Sequence, residues 1–125
     1  MNTTISLDGL WDFVVDLDPK YHAARHYARP DWNRRHWLKV PVPGVWNKYA
    51  ERYDLFEGVG WFSRQFALPS LESGATSLLR FGGVNYACDV FVNGQLAGTH
   101  EGGYTEFVLV VSSLVRPGQN HVAVR

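Results

Sequence analysis

The most regular alternation of apolar and polar positions lies at residues 58–68, GVGWFSRQFAL. Trp61, Ser63 and Gln65 fall on one side, Phe62, Arg64 and Phe66 on the other, and Pro69 ends the run. Period two is the signature of a strand, because successive side chains leave an extended backbone on opposite faces. LDGLWDFVVD (7–16), rich in β-branched and aromatic residues, reads as an earlier strand. Downstream, SLLRFGG (77–83), YACDVFV (86–92), TEFVLVV (105–111) and NHVAVR (120–125) repeat the extended pattern. Asn93-Gly94 sits between two such runs and predicts a two-residue hairpin with Gln95 to Thr99 as the return strand, since both central positions of a type I′ turn need positive φ. RPGQN (116–120) predicts another turn.

Two segments depart from this pattern. PKYHAARHYARPDWNRRHW (19–37) opens with helix-compatible residues and meets Pro30, which predicts a short helix followed by an irregular loop. LKVPVPGVWN (38–47) carries Pro41, Pro43 and Gly44, so a short strand must leave its sheet there. Many short strands, turns at near-regular spacing and no βαβ units predict an all-β sandwich. NHVAVR stops at Arg125 with no turn signal behind it, which predicts either an unpaired edge or missing neighbours.

Composition narrows the classes. At 125 residues and 46% hydrophobic, the chain is one folded domain, short for an enzyme that must also enclose a substrate. Twelve Lys plus Arg balance twelve Asp plus Glu, so no general attraction to nucleic acid or anionic lipid is expected. No apolar run approaches the roughly 20 residues that span a bilayer, and MNTTISLDGL lacks a signal-peptide pattern, so the chain as given reads as soluble and cytoplasmic. Cys88 is the sole cysteine, which excludes an intrachain disulfide; alternating with Val90 and Val92, it reads as a buried, inert thiol.

The series LDGLWDF, VPVPGVWN, VGWFSRQF, LRFGGVNYACDVFVNGQLAGTHEGGYTEFVLVVSSLV and RPGQNHVAVR resembles the N-terminal sugar-binding domain of glycoside hydrolase family 2, the β-galactosidase and β-glucuronidase family. The resemblance spans residues 7–125, is most specific over 79–104, and leans to the β-glucuronidase branch. It implies a jelly-roll β-sandwich, with a short helix or irregular loop between the first two strands, placed ahead of an immunoglobulin-like domain and a (β/α)8 barrel. In such enzymes both catalytic glutamates lie on the barrel, and the sandwich continues past the VAVR strand. Residues 1–125 are therefore expected to be that domain without its last strands.

The candidate chemistry was weighed against this frame. Retaining glycoside hydrolysis needs two carboxyl groups about 5–5.5 Å apart. Glu57, Asp89, Glu101 and Glu106 are the acids to test, and none occupies a family catalytic motif. Glu101 follows His100 in HEGGY, but neighbours on extended backbone diverge, and Gly102-Gly103 is explained by backbone geometry. No catalytic residue is assigned. His22 and His26, with His36 nearby, have a zinc-like spacing but Ala23 stands where a metalloprotease needs Glu, so no metal is expected. RFGGV (80–84) lacks the residues of a phosphate loop, and its glycines suggest a bulge; no cofactor is expected.

Arg25, Arg29, Arg34, Arg35, His36 and Lys39 interleave with Tyr27, Trp32 and Trp37. That mixture can track nucleic acid, but zero net charge favours a loop that packs its aromatics on the sandwich and turns its arginines to water or to a neighbouring domain. Trp11 and Trp61 are expected in the core, and Trp46 with Asn47, after the VPVPG turn, are the expected substrate-side contacts. Three functions follow: a noncatalytic portion of a family 2 β-glycosidase that shapes the active-site rim and subunit contacts, a freestanding carbohydrate-binding module, or a scaffold that pairs through an open strand edge. The expected partners are carbohydrate, the remaining domains of the parent enzyme and, as an open case, a second copy of the chain; nucleic acid and membrane are not.

Overall fold

The computed structural model describes residues 5–16, 27–42, 59–68, 76–81, 87–101 and 106–125. They form eight strands: β1 (Gly9–Asp16), β2 (Leu38–Val42), β3 (Val59–Leu68), β4 (Leu78–Phe81), β5 (Ala87–Val92), β6 (Gln95–Glu101), β7 (Phe107–Val110) and β8 (Gly118–Val124). Six make one sheet in the order β2-β1-β3-β8-β5-β6, and β4 pairs with β7 in a second; every pairing is antiparallel.

The alternation of β3 is realised as expected, and each of its faces is covered by a different part of the chain. On one side, Trp11, Phe13, Val40, Cys88, Val90, Val122 and Val124 form the main core. Phe62 and Phe66 of β3 join it, and Leu79, Phe81, Phe107 and Leu109 of the small sheet close over it. Phe81 stacks on Phe107 with ring centroids 4.7 Å apart. On the other side, Trp61, Ala28 and Ala123 form a second cluster with Val14, Tyr27, Trp37 and Phe91. The loop at residues 27–37 is therefore a lid over the back of the large sheet. The expected helix, running from Pro19 until Pro30 stops it, lies mostly outside the described residues; of its described end Tyr27 is helical, and the rest of the lid is turns and irregular backbone.

The final strand corrects one expectation. β8 is no edge: it lies between β3 and β5, with Ala123 opposite both Ser63 and Phe91. The ladder continues to Arg125, whose backbone N–H donates to Asp89 O at 2.9 Å while Asp89 N–H donates to Arg125 O at 3.1 Å. A strand buried on both faces is apolar at consecutive positions, which accounts for Val122, Ala123 and Val124 all being buried. Among the described strands, the edges of the large sheet are β2 and β6.

The Asn-Gly hairpin forms with φ of 51° at Asn93 and 85° at Gly94, the left-handed conformation expected of that pair. Its role reaches beyond the turn. The Asn93 side-chain amide donates to Leu114 O at 2.7 Å and to Asn120 Oδ1 at 2.9 Å, and its oxygen accepts from the His121 N–H at 2.9 Å. Asn120 in turn donates to Arg116 O and Gly118 O. The β5–β6 turn is thereby fastened to the entry of β8. Asn93→Ala removes three hydrogen bonds and places a Cβ-bearing residue of poorer left-handed tolerance at positive φ, so a loss of about 2 kcal/mol is expected in urea unfolding. Asn93→Gly, which keeps the backbone, should recover the turn contribution alone; full recovery would show that the side-chain bonds contribute nothing.

Candidate functional site

The lid and the back of the large sheet enclose an open cleft of about 500 Å³. Leu10 and Asp12 enter it from β1, Lys39 from β2, Ser63, Arg64 and Gln65 from β3, and His121 from β8; Pro30, Trp32, Arg34 and Arg35 line it from the lid. Strand alternation places Ser63 and Gln65 on this side with Trp61, while antiparallel pairing brings β8 alongside.

At the floor, the Ser63 hydroxyl and the His121 imidazole Nε2 are joined by a 2.5 Å hydrogen bond, and both residues are buried. Burial, and secondarily the positive charge of Arg34, lower the His121 pKa to about 4, so the ring is neutral at pH 7. Its Nδ1 has no hydrogen-bond partner among the described residues. A serine nucleophile needs an accessible hydroxyl and a base oriented by a third group. Ser63 is 1% exposed and, among the described residues, no acid sits on His121 Nδ1; the pair links β3 to β8.

Arg34 corrects the expectation that the lid arginines turn outward. Its Nη1 donates to Trp32 O at 3.1 Å, and its Nη2 donates to Tyr27 O and Arg29 O at 2.7 Å each. Its guanidinium also lies over the Trp37 ring at 5.1 Å. The arginine thus organises the lid from inside, satisfying loop carbonyls that no ladder pairs. Burial lowers its pKa, with Asp12 and Asp31 acting in the opposite direction. Arg29 pairs with Asp31 at 2.8 Å, and Lys39 pairs with Asp12 across the β1–β2 ladder. The aromatic half of the expectation holds in part: Tyr27 packs edge-on against Trp37 and Trp61, whereas Trp32 is 36% exposed at the cleft.

The acids weighed from sequence do not converge. Glu101 is exposed, whereas the neighbouring His100 ring stacks on Phe107 at 4.0 Å. Glu106 pairs with Arg80 at 2.6 Å, and Asp89 lies 3.8 Å from Arg125. Asp12 is the one carboxylate among the described residues of the cleft. Trp11 and Trp61 lie in the core at 6% and 0% exposure, and Cys88 is buried, its thiol pKa raised chiefly by desolvation. Trp46, Asn47, Glu57, His22, His26 and the glycines of RFGGV and HEGGY lie outside the described residues. The described residues contain no group of three or more metal-ligating side chains, and no helix among them is long and apolar enough to cross a membrane.

Sequence reasoning did not bring Ser63, His121 and Arg34 together. The first two are 58 positions apart and meet only because β3 and β8 are neighbours. The available signal was the side of β3 on which Ser63 falls, together with the alternation of NHVAVR; neither names a partner strand.

Residues 52–125 match the family model described as glycosyl hydrolases family 2, sugar binding domain. Human β-glucuronidase is 32% identical over 120 residues, covering 90% of this chain and 18% of that enzyme. The Bacteroides fragilis β-glucuronidase is 35% identical over 126 residues, with the same coverage. Among solved structures, the Bifidobacterium dentium β-glucuronidase complexed with coumarin-3-O-glucuronide superposes with a TM-score of 0.79 at 32% identity, covering 94% of this chain and 19% of that one. The chain thus spans about a fifth of the length of these relatives. The antiparallel sandwich, the family-model match over residues 52–125, which hold β3 to β8, and the identity to β-glucuronidases agree: the chain belongs to the sugar-binding domain family of family 2 glycosyl hydrolases.

Proposed function

We propose that this chain serves as the noncatalytic sandwich of a β-glycosidase of β-glucuronidase type, supporting the rim of an active site carried by other domains. The observation that carries the reading is the chemistry of the cleft, where Asp12 is the one carboxylate among the described residues and is paired with Lys39. A retaining mechanism needs two carboxyl groups held across the scissile bond. The similarity to β-glucuronidases supports the substrate class. Trp46 and Asn47 are proposed as the contacts on the substrate side, on the strength of their place after VPVPG. The purified chain is expected to release no chromophore from an aryl β-glucuronide above the blank. Turnover that disappears in Glu101→Gln would overturn the assignment.

The exposed Trp32 beside polar groups in the cleft favours a second reading, a carbohydrate-binding module in its own right. That reading requires saturable binding of a sugar by the chain alone.

A further inference from the structure

We infer that the cleft between the 27–37 lid and the large sheet is a docking site for an acidic saccharide, one whose rings carry a carboxylate or a sulfate. The inference rests on the sugar-binding reading and adds a location and a charge requirement to it.

Over the whole chain cations and anions are equal at twelve each, yet among the described residues Arg34, Arg35, Lys39 and Arg64 line the cleft against Asp12 alone. Lys39 is matched by Asp12. Arg34 and Arg64 are held by backbone carbonyls, Arg64 through 2.9 and 3.0 Å bonds to Leu7 O and Asp8 O, and Arg35 donates to the His36 ring at 3.2 Å. Among the described residues, none of these three arginines has a carboxylate within ion-pair distance. Carbonyls satisfy donors without supplying countercharge; Asp12 and Asp31 act on Arg34 through space, whereas Arg35 and Arg64 have no ion-paired carboxylate among the described residues. Arg34 is part-buried, where a nearby charge is screened less than at a free surface. An oxyanion in the cleft supplies the missing countercharge, and the exposed Arg35 is placed to meet it directly.

The walls specify what carries the anion. Trp32 presents a partly exposed indole from the lid and Leu10 is 65% exposed on the sheet, so the lining combines apolar surface with the exposed polar groups of Gln65 and Arg35. A pyranose ring has the same division, an apolar C–H face that stacks on an aromatic and a rim of hydroxyls. The volume of about 500 Å³ falls among small-ligand sites.

Calorimetric titration of the purified chain tests this with trigalacturonate, a sulfated trisaccharide and neutral maltotriose at low and at 0.3 M salt. At least one acidic probe should bind, at least about 5-fold more tightly than maltotriose and more weakly in high salt. Trp32→Ala and Arg35→Gln, both at exposed positions, should each weaken binding about 5-fold or more with the melting temperature unchanged. Which acidic probe binds identifies carboxylate or sulfate as the ligand group. Equal affinity for maltotriose, acidic binding that survives both substitutions, or no binding by any probe overturns the inference. Those outcomes leave the noncatalytic assignment standing, whereas glucuronide turnover by the chain would remove that assignment and leave the cleft untouched.

Discussion

Trp61→Ala is expected to cost about 3–5 kcal/mol, a large part of the stability of a domain this size. Trp61 is fully buried on β3, stacked on Phe91 at 5.6 Å and met edge-on by Tyr27 at 5.8 Å. It is the largest fully buried side chain of the cluster that fastens the 27–37 lid to the sheet. Removing it leaves a cavity that Ala28 and Ala123 are too small to fill, and the strand backbone, paired on both sides, cannot collapse into it. The lid should loosen first, so protease cleavage within residues 27–37 should accelerate more than the global loss accounts for. Trp61→Phe, which keeps a ring against Phe91, should cost less than half as much. A loss below about 1 kcal/mol for the alanine variant, read from the urea midpoint at constant m, would show that the lid is not anchored there.

Acid should destabilise the chain before its carboxylates titrate. His121 has a pKa of about 4 in the folded chain, against an ordinary value of 6.5, because it is buried and faces Arg34. Above pH 6.5 both folded and unfolded chains hold the ring neutral, and the site costs nothing. Between 6.5 and 4 the unfolded chain binds a proton that the folded chain refuses, so stability falls as pH falls through that window. The expected loss is on the order of 3 kcal/mol by the time the folded pKa is reached. Asp31 and Glu106, whose pKa values are lowered by Arg29 and Arg80, add their own acid sensitivity as pH falls through and below the ordinary carboxylate values of 3.8 and 4.5. Urea unfolding at intervals between pH 7.5 and 4.5 reads the slope. His121→Gln, which can still bond Ser63, should flatten it; an unchanged slope in that variant would place the titrating group elsewhere.

Both results depend on the lid, and the lid is where sequence and structure part. Its aromatic and basic composition suggested packing with outward arginines, whereas Arg34 points inward to three carbonyls. A turn-rich loop crossing a buried face leaves carbonyls without ladder partners, and a single guanidinium with five donors satisfies several at once. Such a need is invisible until the loop's path is known. For the final strand, one of two open alternatives fails for a related reason. NHVAVR ends without a turn, which left either an unpaired edge or missing neighbours, and β8 occupies the middle of the described sheet, so the edge alternative falls.

What sequence determined by itself is local. The alternation of β3, the left-handed Asn93-Gly94 turn and the burial of Trp11, Trp61 and Cys88 follow from residue type at near spacing; the family was legible only as a resemblance over nearly the whole chain. Tertiary structure decided which strands are neighbours, and with that the meeting of Ser63 with His121, the inward turn of Arg34 and the charge of the cleft. The physical reason is that backbone geometry and side-chain alternation act over a few residues. Strand order, by contrast, is set by burying both faces of one sheet together, a condition on the whole chain that no short segment records.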